Sequence, residues 1–467
     1  MSDDAGARVI DLDIAELNAA GDGVGAAGRL RIAVPFTIPG ERVRVRLDPG
    51  RDGRVFPAIL EILRASPHRV RPKCSHFGPK AVPGLGPCGG CAWQHIAYPE
   101  QLRLKRTLVD RLVGATVAGA PSVSETIAAT PLDNPWGYRN KVHFVFGNLR
   151  FGDRRRDTTL GMGHYARGSR RVIPIRECPV HDERGNAFAF RARDTYAAAG
   201  ANAAGAAGGV LRSLAVRVGC HTSEMMATVV VLNDSDRRLR TATRKLLEEA
   251  PPTSAHLNIH PRDDAFVFGE RTRRLLGPER MREQAAGVSF LMSPTTFFQT
   301  HVRAAEVLVG LVLATVPPGS RVIDLYAGAG LFSIPLALAG HSVTAVEENR
   351  EAVADGEAAL RLNGEAGRRC RFVARRAETA LAALRGADVV VLDPPRDGCT
   401  PAVLRGVFEG LRPPRAIYVS CNPETLATDL RPICDSGYLI RSLQPVDMFP
   451  HTAHVETVAV LDRVRPA

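Results

Sequence analysis

Val322-Ile323-Asp324-Leu325-Tyr326-Ala327-Gly328-Ala329-Gly330-Leu331-Phe332 is an apolar strand that runs into a glycine turn. Missing side chains at such a turn let the backbone approach a ligand closely. Glu347 ends the next strand, 23 residues after Asp324, where an acidic side chain can accept both hydroxyls of a ribose. A dinucleotide fold would place a third glycine two residues after Leu331 to seat a pyrophosphate; Ser333 stands there instead. Working outward, strand, turn and helix alternate from Val288 onward, with strands expected at Arg321 to Tyr326, Ser342 to Val346, Ala387 to Leu392, Arg415 to Ser420 and His454 to Leu461. That alternation specifies a doubly wound α/β domain over 288–467.

The 467 residues exceed one ordinary core, so two or three domains are expected. With 45% apolar and 24% charged residues the chain is neither disordered nor membrane-embedded in composition. No apolar run reaches transmembrane length, and Met1-Ser2-Asp3-Asp4 lacks the features of a signal peptide, so a cytoplasmic protein with no membrane partner is expected. Lysine and arginine outnumber acids 61 to 49, with the surplus concentrated between Glu61 and Val180. A polyanion bound by the middle of the chain follows from that asymmetry.

Residues 1–65 read as short alternating strands, such as Glu41 to Leu47, and predict a small β-barrel. Residues 66–287 form a mixed α+β region. It starts with a proline-rich cysteine segment, Pro67 to Trp93, and a helix carrying Leu102, Leu104, Leu108 and Leu112. Val142, Phe144 and Phe146 alternate as a strand, and the Ala/Gly-rich insert Ala197 to Gly209 predicts a flexible surface loop.

The chemistry is carried by three residues. Val389-Val390-Val391-Leu392-Asp393-Pro394-Pro395-Arg396 sets a carboxylate at the end of the fourth strand, beside the cofactor cleft. Cys421, in Tyr418-Val419-Ser420-Cys421-Asn422-Pro423, and Glu456, in His454-Val455-Glu456-Thr457-Val458, lie at the ends of neighbouring strands as a nucleophile and a base. Carbon 5 of a pyrimidine reacts only after addition at carbon 6, which a thiolate from Cys421 can supply, and Glu456 can then take the proton left on C5. An ionised Asp393 accepts from uracil N3 and repels cytosine N3. Arg396 occupies the place of the aromatic residue that amino-group methyltransferases stack on their base.

The glycine turn with Asp324 before it is similar to the adenosylmethionine motif of class I methyltransferases. With Asp393, Cys421 and Glu456 the chain resembles the RNA uracil-C5 methyltransferase family, ribosomal and transfer RNA members alike. Further matching stretches are Thr37-Ile38-Pro39-Gly40-Glu41 of a TRAM barrel, Tyr138-Arg139-Asn140-Lys141, Ser293-Pro294 with Phe297-Phe298-Gln299, and Phe449-Pro450-His451-Thr452. The resemblance implies a Rossmann-like methyltransferase domain, S-adenosyl-L-methionine as methyl donor, Gln299, Tyr326, Glu347 and Asp393 lining the cofactor and target-base site, Cys421 as nucleophile and Glu456 as base. Leu331 departs from the polar residue frequent in ribosomal members.

Cys74, Cys88 and Cys91 are spaced C-x13-C-x2-C, and Cys178 precedes Pro179. Four thiolates suit zinc or a 4Fe-4S cluster, and spacing alone leaves both open. Ribosomal RNA members carry such a cluster on a shorter C-x5-C-x2-C, so the resemblance implies 4Fe-4S and 23S rRNA; tRNA T-loop methylation is the rival. Cys220, Cys370, Cys399 and Cys434 read as structural, and His164 and His181 as surface histidines. The barrel is nearly charge-balanced, so Arg154-Arg155-Arg156, Arg167, Arg170, Arg171 and Lys141 are the expected phosphate contacts. The target uridine must be flipped out, with Phe297 and Phe298 as packing residues. A non-catalytic RNA-binding iron-sulfur protein is the alternative of another class, and no obligate protein partner is indicated.

Overall fold

The computed structural model describes residues 8–49, 55–79, 86–150, 158–205, 208–264 and 266–464. Strands β1 (Arg8–Leu17), β2 (Gly23–Ala27), β3 (Leu30–Val34), β4 (Arg42–Pro49) and β5 (Val55–Arg64) form an antiparallel sheet in the order β3-β2-β1-β4-β5. The sheet curls until β3 and β5 approach, closing over Leu12, Ile14, Ile32, Val34, Val43 and Val45. Its arginines are spent on neighbouring strands: Arg44 pairs with Asp11 and Glu61, Arg64 with Asp13. The barrel is therefore the electrostatically neutral part that its sequence implies. Glu41, fully buried, accepts the Ile38 and Ser66 N–H groups and both ends of the Arg69 guanidinium, which ties the barrel to the following segment.

Helix α1 (Tyr98–Thr116) starts with Pro99 in its first turn, where a missing N–H costs nothing. It buries Leu104, Leu108, Val109 and Val113, and it packs against the C-terminal sheet. Strand β6 (Ile127–Ala128) then joins the edge of that same sheet. The mixed central sheet is built from β7 (Lys141–Arg150), β8 (Thr158–Tyr165), β9 (Val172–Pro174), β10 (Leu211–Val218), β11 (Met225–Val231), β12 (Ser254–Ile259) and β13 (Arg271–Leu276), ordered β13-β12-β11-β10-β7-β8-β9. Helices α2 (Glu183–Ala198) and α3 (Arg237–Glu249) cover the face that carries Val142, Phe144, Phe146, Leu214 and Val216. Asp182 and Asp236 cap their N-termini.

The Ala/Gly-rich insert is not the surface loop expected. Ala197 and Ala198 end α2, while Ala201 and Ala203 are buried, with Asn148 bonding both the N–H and the C=O of Ala203. Small side chains let this backbone lie directly against the sheet; Ala206 and Ala207 fall outside the described residues.

A hairpin, β14 (Met281–Ala285) and β15 (Val288–Met292), leads into α4 (Val302–Thr315). Then follow β16 (Arg321–Leu325), α5 (Ser333–Leu338), β17 (Ser342–Glu347), α6 (Arg350–Leu362), β18 (Cys370–Ala374), α7 (Ala377–Leu381), β19 (Val389–Leu392), α8 (Pro401–Arg405), β20 (Arg415–Ser420), α9 (Pro423–Asp435), β21 (Tyr438–Asp447) and β22 (Glu456–Arg463). The sheet order is β18-β17-β16-β19-β20-β22-β21-β6. The first five strands are parallel and β22 runs antiparallel between β20 and β21. Its strands are nearly continuous apolar runs, as a sheet covered on both faces requires. Among the described residues no helix is long and apolar enough to cross a membrane.

Candidate active site

The carboxyl ends of β16, β17, β19 and β20 meet at one edge, the place where open α/β sheets bind ligands. The chain leaves β16 through Tyr326, whose φ of 66° is rare for an aromatic residue, and turns on Gly328 and Gly330. A Cβ on Gly330 would stand 2.9 Å from Ile334 and 3.0 Å from Phe372, so glycine is required there. Glu347 is oriented by two backbone N–H groups, Gly328 at 2.9 Å and Asn349 at 2.8 Å, leaving lone pairs for ribose hydroxyls. A cavity of about 170 Å³ opens here, lined by Tyr326, Glu347, Arg376, Pro395 and Gly398 among others. Behind it Asp324 is fully buried, accepts the Ser333 hydroxyl at 2.5 Å, and is pushed up to about 7 by burial.

Ser420 of β20 is the register partner of Thr457 of β22. Cys421 and Glu456, one residue beyond each, therefore emerge side by side. Asp393 stands at the end of β19, its N–H on the Leu325 carbonyl at 3.3 Å. The exits of β19 and β20 are locked together, since Asn422 Nδ2 and Thr425 Oγ1 both donate to the Arg396 carbonyl at 3.1 Å. Burial, then the neighbouring Glu456 and Asp393, push the Cys421 thiol up to about 11, with Arg396 opposing. Burial raises Glu456 to about 7, and it raises Asp393 well above the carboxylate range with Glu456 and Asp324 adding to it. The structure thus brings Asp393, Cys421 and Glu456 into one electrostatic cluster. Burial thus favours the protonated form of Asp393.

Gln299 lies, largely buried, in the connection between β15 and α4. That connection is held by the central sheet: Asn140 N–H donates to the Thr300 carbonyl at 2.8 Å and Arg217 to the Thr296 carbonyl at 2.7 Å. Phe298 is core, 5.1 Å from Phe290 between ring centroids, whereas Phe297 is 67% exposed.

Cys74, Cys88, Cys91 and Cys178 line a second cavity of about 190 Å³. Cys88, Cys91 and Cys178 are pushed up to about 12, 12 and 11 by burial, with the other thiols adding to it. Among the described residues the set of three ligand atoms within 4.8 Å of one another is Cys74, His76 and Glu177, so the four sulfurs ring the cavity rather than converge on a point. His181 is not a surface residue but buried, with Nδ1 3.0 Å from Asn186 Oδ1, while His164 is half-buried with Nε2 3.8 Å from Cys178 Sγ. His164 lines the cysteine cavity, and Phe144 packs against both rings.

Of the expected phosphate contacts, Arg154 to Arg156 lie outside the described residues. Arg167 is engaged with Asp22 at 2.6 Å, Arg170 pairs with Asp263 at the surface, and Lys141 sits 5.3 Å from the Phe268 ring centre. Sequence reasoning missed Arg217, although an arginine inside the apolar run Leu211 to Val218 is a visible signal. It also missed Gln101 and Lys105, which read as the solvated face of a helix and give no signal at all.

The strand order, the antiparallel β22 and the glycine turn facing the Glu347 carboxylate define a class I methyltransferase. A family model described as tRNA (uracil-5-)-methyltransferase matches residues 289–464. The chain is 36% identical over 462 residues to an uncharacterized RNA methyltransferase of Gloeobacter violaceus, covering 98% of this chain and 97% of that one. It is 35% identical over 457 residues to one of Thermosynechococcus vestitus, covering 97% of each. The solved tRNA (uracil-54, C5)-methyltransferase of Pyrococcus abyssi, in complex with S-adenosyl-L-homocysteine, is similar with a TM-score of 0.74 and 27% identity, over 97% of this chain and 100% of that one. The chain belongs to the RNA uracil-C5 methyltransferase family.

Proposed function

We propose that this RNA methyltransferase converts uridine to 5-methyluridine, with Cys421 as nucleophile and Glu456 as base. The observation that carries the reading is the emergence of Cys421 and Glu456 from paired strands beside Asp393, at the mouth of the cleft lined by Tyr326 and Glu347. S-adenosylmethionine supplies the methyl group when bound there; Glu347 holds its ribose, and Tyr326, Gln299 and Asp393 line the rest of the site. Cys421 Sγ bonds to uracil C6, and the C5=C6 electrons move toward O4, where a protonated Asp393 donates a hydrogen bond. After C5 has taken the methyl group, Glu456 removes the C5 proton, the C5=C6 bond re-forms and the thiolate leaves. A base near 7 is divided between its two forms at neutral pH, which suits proton transfer in either direction. Phe297, exposed beside the site, fills the stack that the flipped uridine vacates.

The four cysteines are assigned to a 4Fe-4S cluster. A tetrahedral zinc site with Zn–S near 2.3 Å needs sulfurs about 3.8 Å apart, and the ring of sulfurs around about 190 Å³ is wider than that. The cysteine set favours 23S rRNA as substrate. A second reading, tRNA, is favoured by the likeness to the Pyrococcus abyssi enzyme.

Labelled S-adenosylmethionine with ribosomal or transfer RNA, followed by nucleoside digestion, tests both. 5-Methyluridine in one pool identifies the substrate, and its absence from both refutes the reaction. Glu456→Gln is expected to trap a Cys421–RNA adduct stable to denaturant. Brown protein on anaerobic purification, with stoichiometric iron, supports the cluster; colourless protein with zinc refutes it.

A further inference from the structure

The turn that delivers Glu456, Phe449-Pro450-His451-Thr452, is gripped from outside its own sheet. His451 is buried, with a left-handed φ of 66° that few non-glycine residues adopt. Gln101 of α1 holds it from both sides: Oε1 accepts the His451 N–H at 2.7 Å, and Nε2 lies 3.2 Å from Nδ1. Nε2 of His451 is 3.1 Å from the Pro135 carbonyl, so that nitrogen carries the proton and Nδ1 accepts from Gln101. The imidazole stacks on Trp136 with centroids 3.8 Å apart.

The backbone is clamped as firmly. The His451 carbonyl accepts two N–H groups, from Ala92 at 3.0 Å and Trp93 at 2.9 Å. These are the two residues that follow Cys91. The other Nε2 hydrogen of Gln101 is shared between the Trp93 and Ile96 carbonyls, at 3.1 and 2.9 Å. Tyr138 donates to the Pro450 carbonyl at 3.0 Å, and Lys105 to the Phe449 carbonyl at 3.0 Å.

We propose that Gln101 and His451 are positioning residues for Glu456, and that the segment bearing Cys91 is their anchor, so that the cysteine centre serves the release step rather than RNA contact. The inference rests on the reading of Glu456 as the base. Addition by Cys421 and methyl transfer use the ends of β16, β17, β19 and β20, whereas the turn leads directly into the start of β22. Proton removal alone depends on the turn, which holds the start of β22 in place. A loosened grip therefore stalls the reaction at the methylated Cys421 adduct.

The test is single-turnover methylation read on denaturing gels, with RNA affinity measured in parallel. Gln101→Met keeps the shape of the side chain and loses its hydrogen bonds; His451→Asn tolerates the left-handed backbone and loses the ring. Both, and Cys91→Ser, are expected to accumulate adduct as Glu456→Gln does. Release should slow by about 10- to 100-fold, the cost of an ångström-scale misplacement, while RNA affinity stays unchanged. Wild-type release, or slow release without adduct, in Gln101→Met and His451→Asn overturns the proposal. If Gln101→Met fails to fold, His451→Asn decides. No adduct in Glu456→Gln itself overturns the base assignment instead.

Discussion

Lys105 of α1 and Asp447 at the end of β21 form an ion pair in which neither side chain has exposed surface, with Nζ and Oδ1 2.5 Å apart. The same Oδ1 accepts the Phe449 N–H at 3.1 Å, so one carboxylate fixes both the helix and the turn after the strand. Burial lowers the lysine, and Asp447 holds it charged. Lys105→Met is expected to destabilise the fold by about 3–5 kcal/mol, because it strands a buried carboxylate. Pairing it with Asp447→Asn, which removes that charge, should recover part of the loss. Urea denaturation of the two variants checks this.

The pH dependence separates the two chemical groups. In the proposed reaction Glu456 acts as its ionised form; with the group raised to about 7, the release rate should climb about tenfold per pH unit below 7 and level off above it. The thiol of Cys421, raised to about 11, should make adduct formation climb through the alkaline range instead. Rapid-quench measurement of adduct and product between pH 5.5 and pH 9.5 checks the pair; a common inflection for both steps would contradict it.

Phe297 and Phe298 should part company on substitution. Phe298→Ala empties a core site against Phe290 and should cost about 3–5 kcal/mol. Phe297→Ala, at an exposed position, should leave stability within about 0.5 kcal/mol while lowering methylation of folded RNA more than that of a short single strand. Thermal melts and initial rates on the two substrates decide it.

Salt dependence sorts the arginines. Removing Arg154, Arg155 and Arg156 together should flatten the slope of log affinity against log salt by about 2, since each single-strand phosphate contact contributes about 0.7. Arg167→Ala should leave that slope unchanged, because the guanidinium is already spent on Asp22. RNA titrations between about 50 and 200 mM salt measure both.

The C-terminal sheet was legible because its strands are apolar runs that end in glycine, proline or acid, and periodicity carries such signals. Asp393, Cys421 and Glu456 could be picked out because two follow strands and the third opens one, and these three strand termini meet at one edge of the sheet. The stitching between motifs was not. Asn140 on Thr300, Tyr138 on Pro450 and Gln101 on His451 join residues from four separate stretches. No local pattern distinguishes a glutamine that holds a distant turn from one that faces water. His181 was misplaced for the same reason: a histidine between apolar neighbours reads alike whether the wall beside it is solvent or protein.

Trp93 and Trp136 are the two tryptophans of the chain. Trp93 donates its indole N–H to the Gly21 carbonyl at 2.8 Å and lies beneath Lys105, while Trp136 stacks on His451. Both chromophores therefore flank a single joint. Fluorescence excited beyond the tyrosine band is local light, a built-in gauge of how the Glu456 turn is seated, and a shift in its colour on RNA arrival would be read at that joint and nowhere else in the molecule.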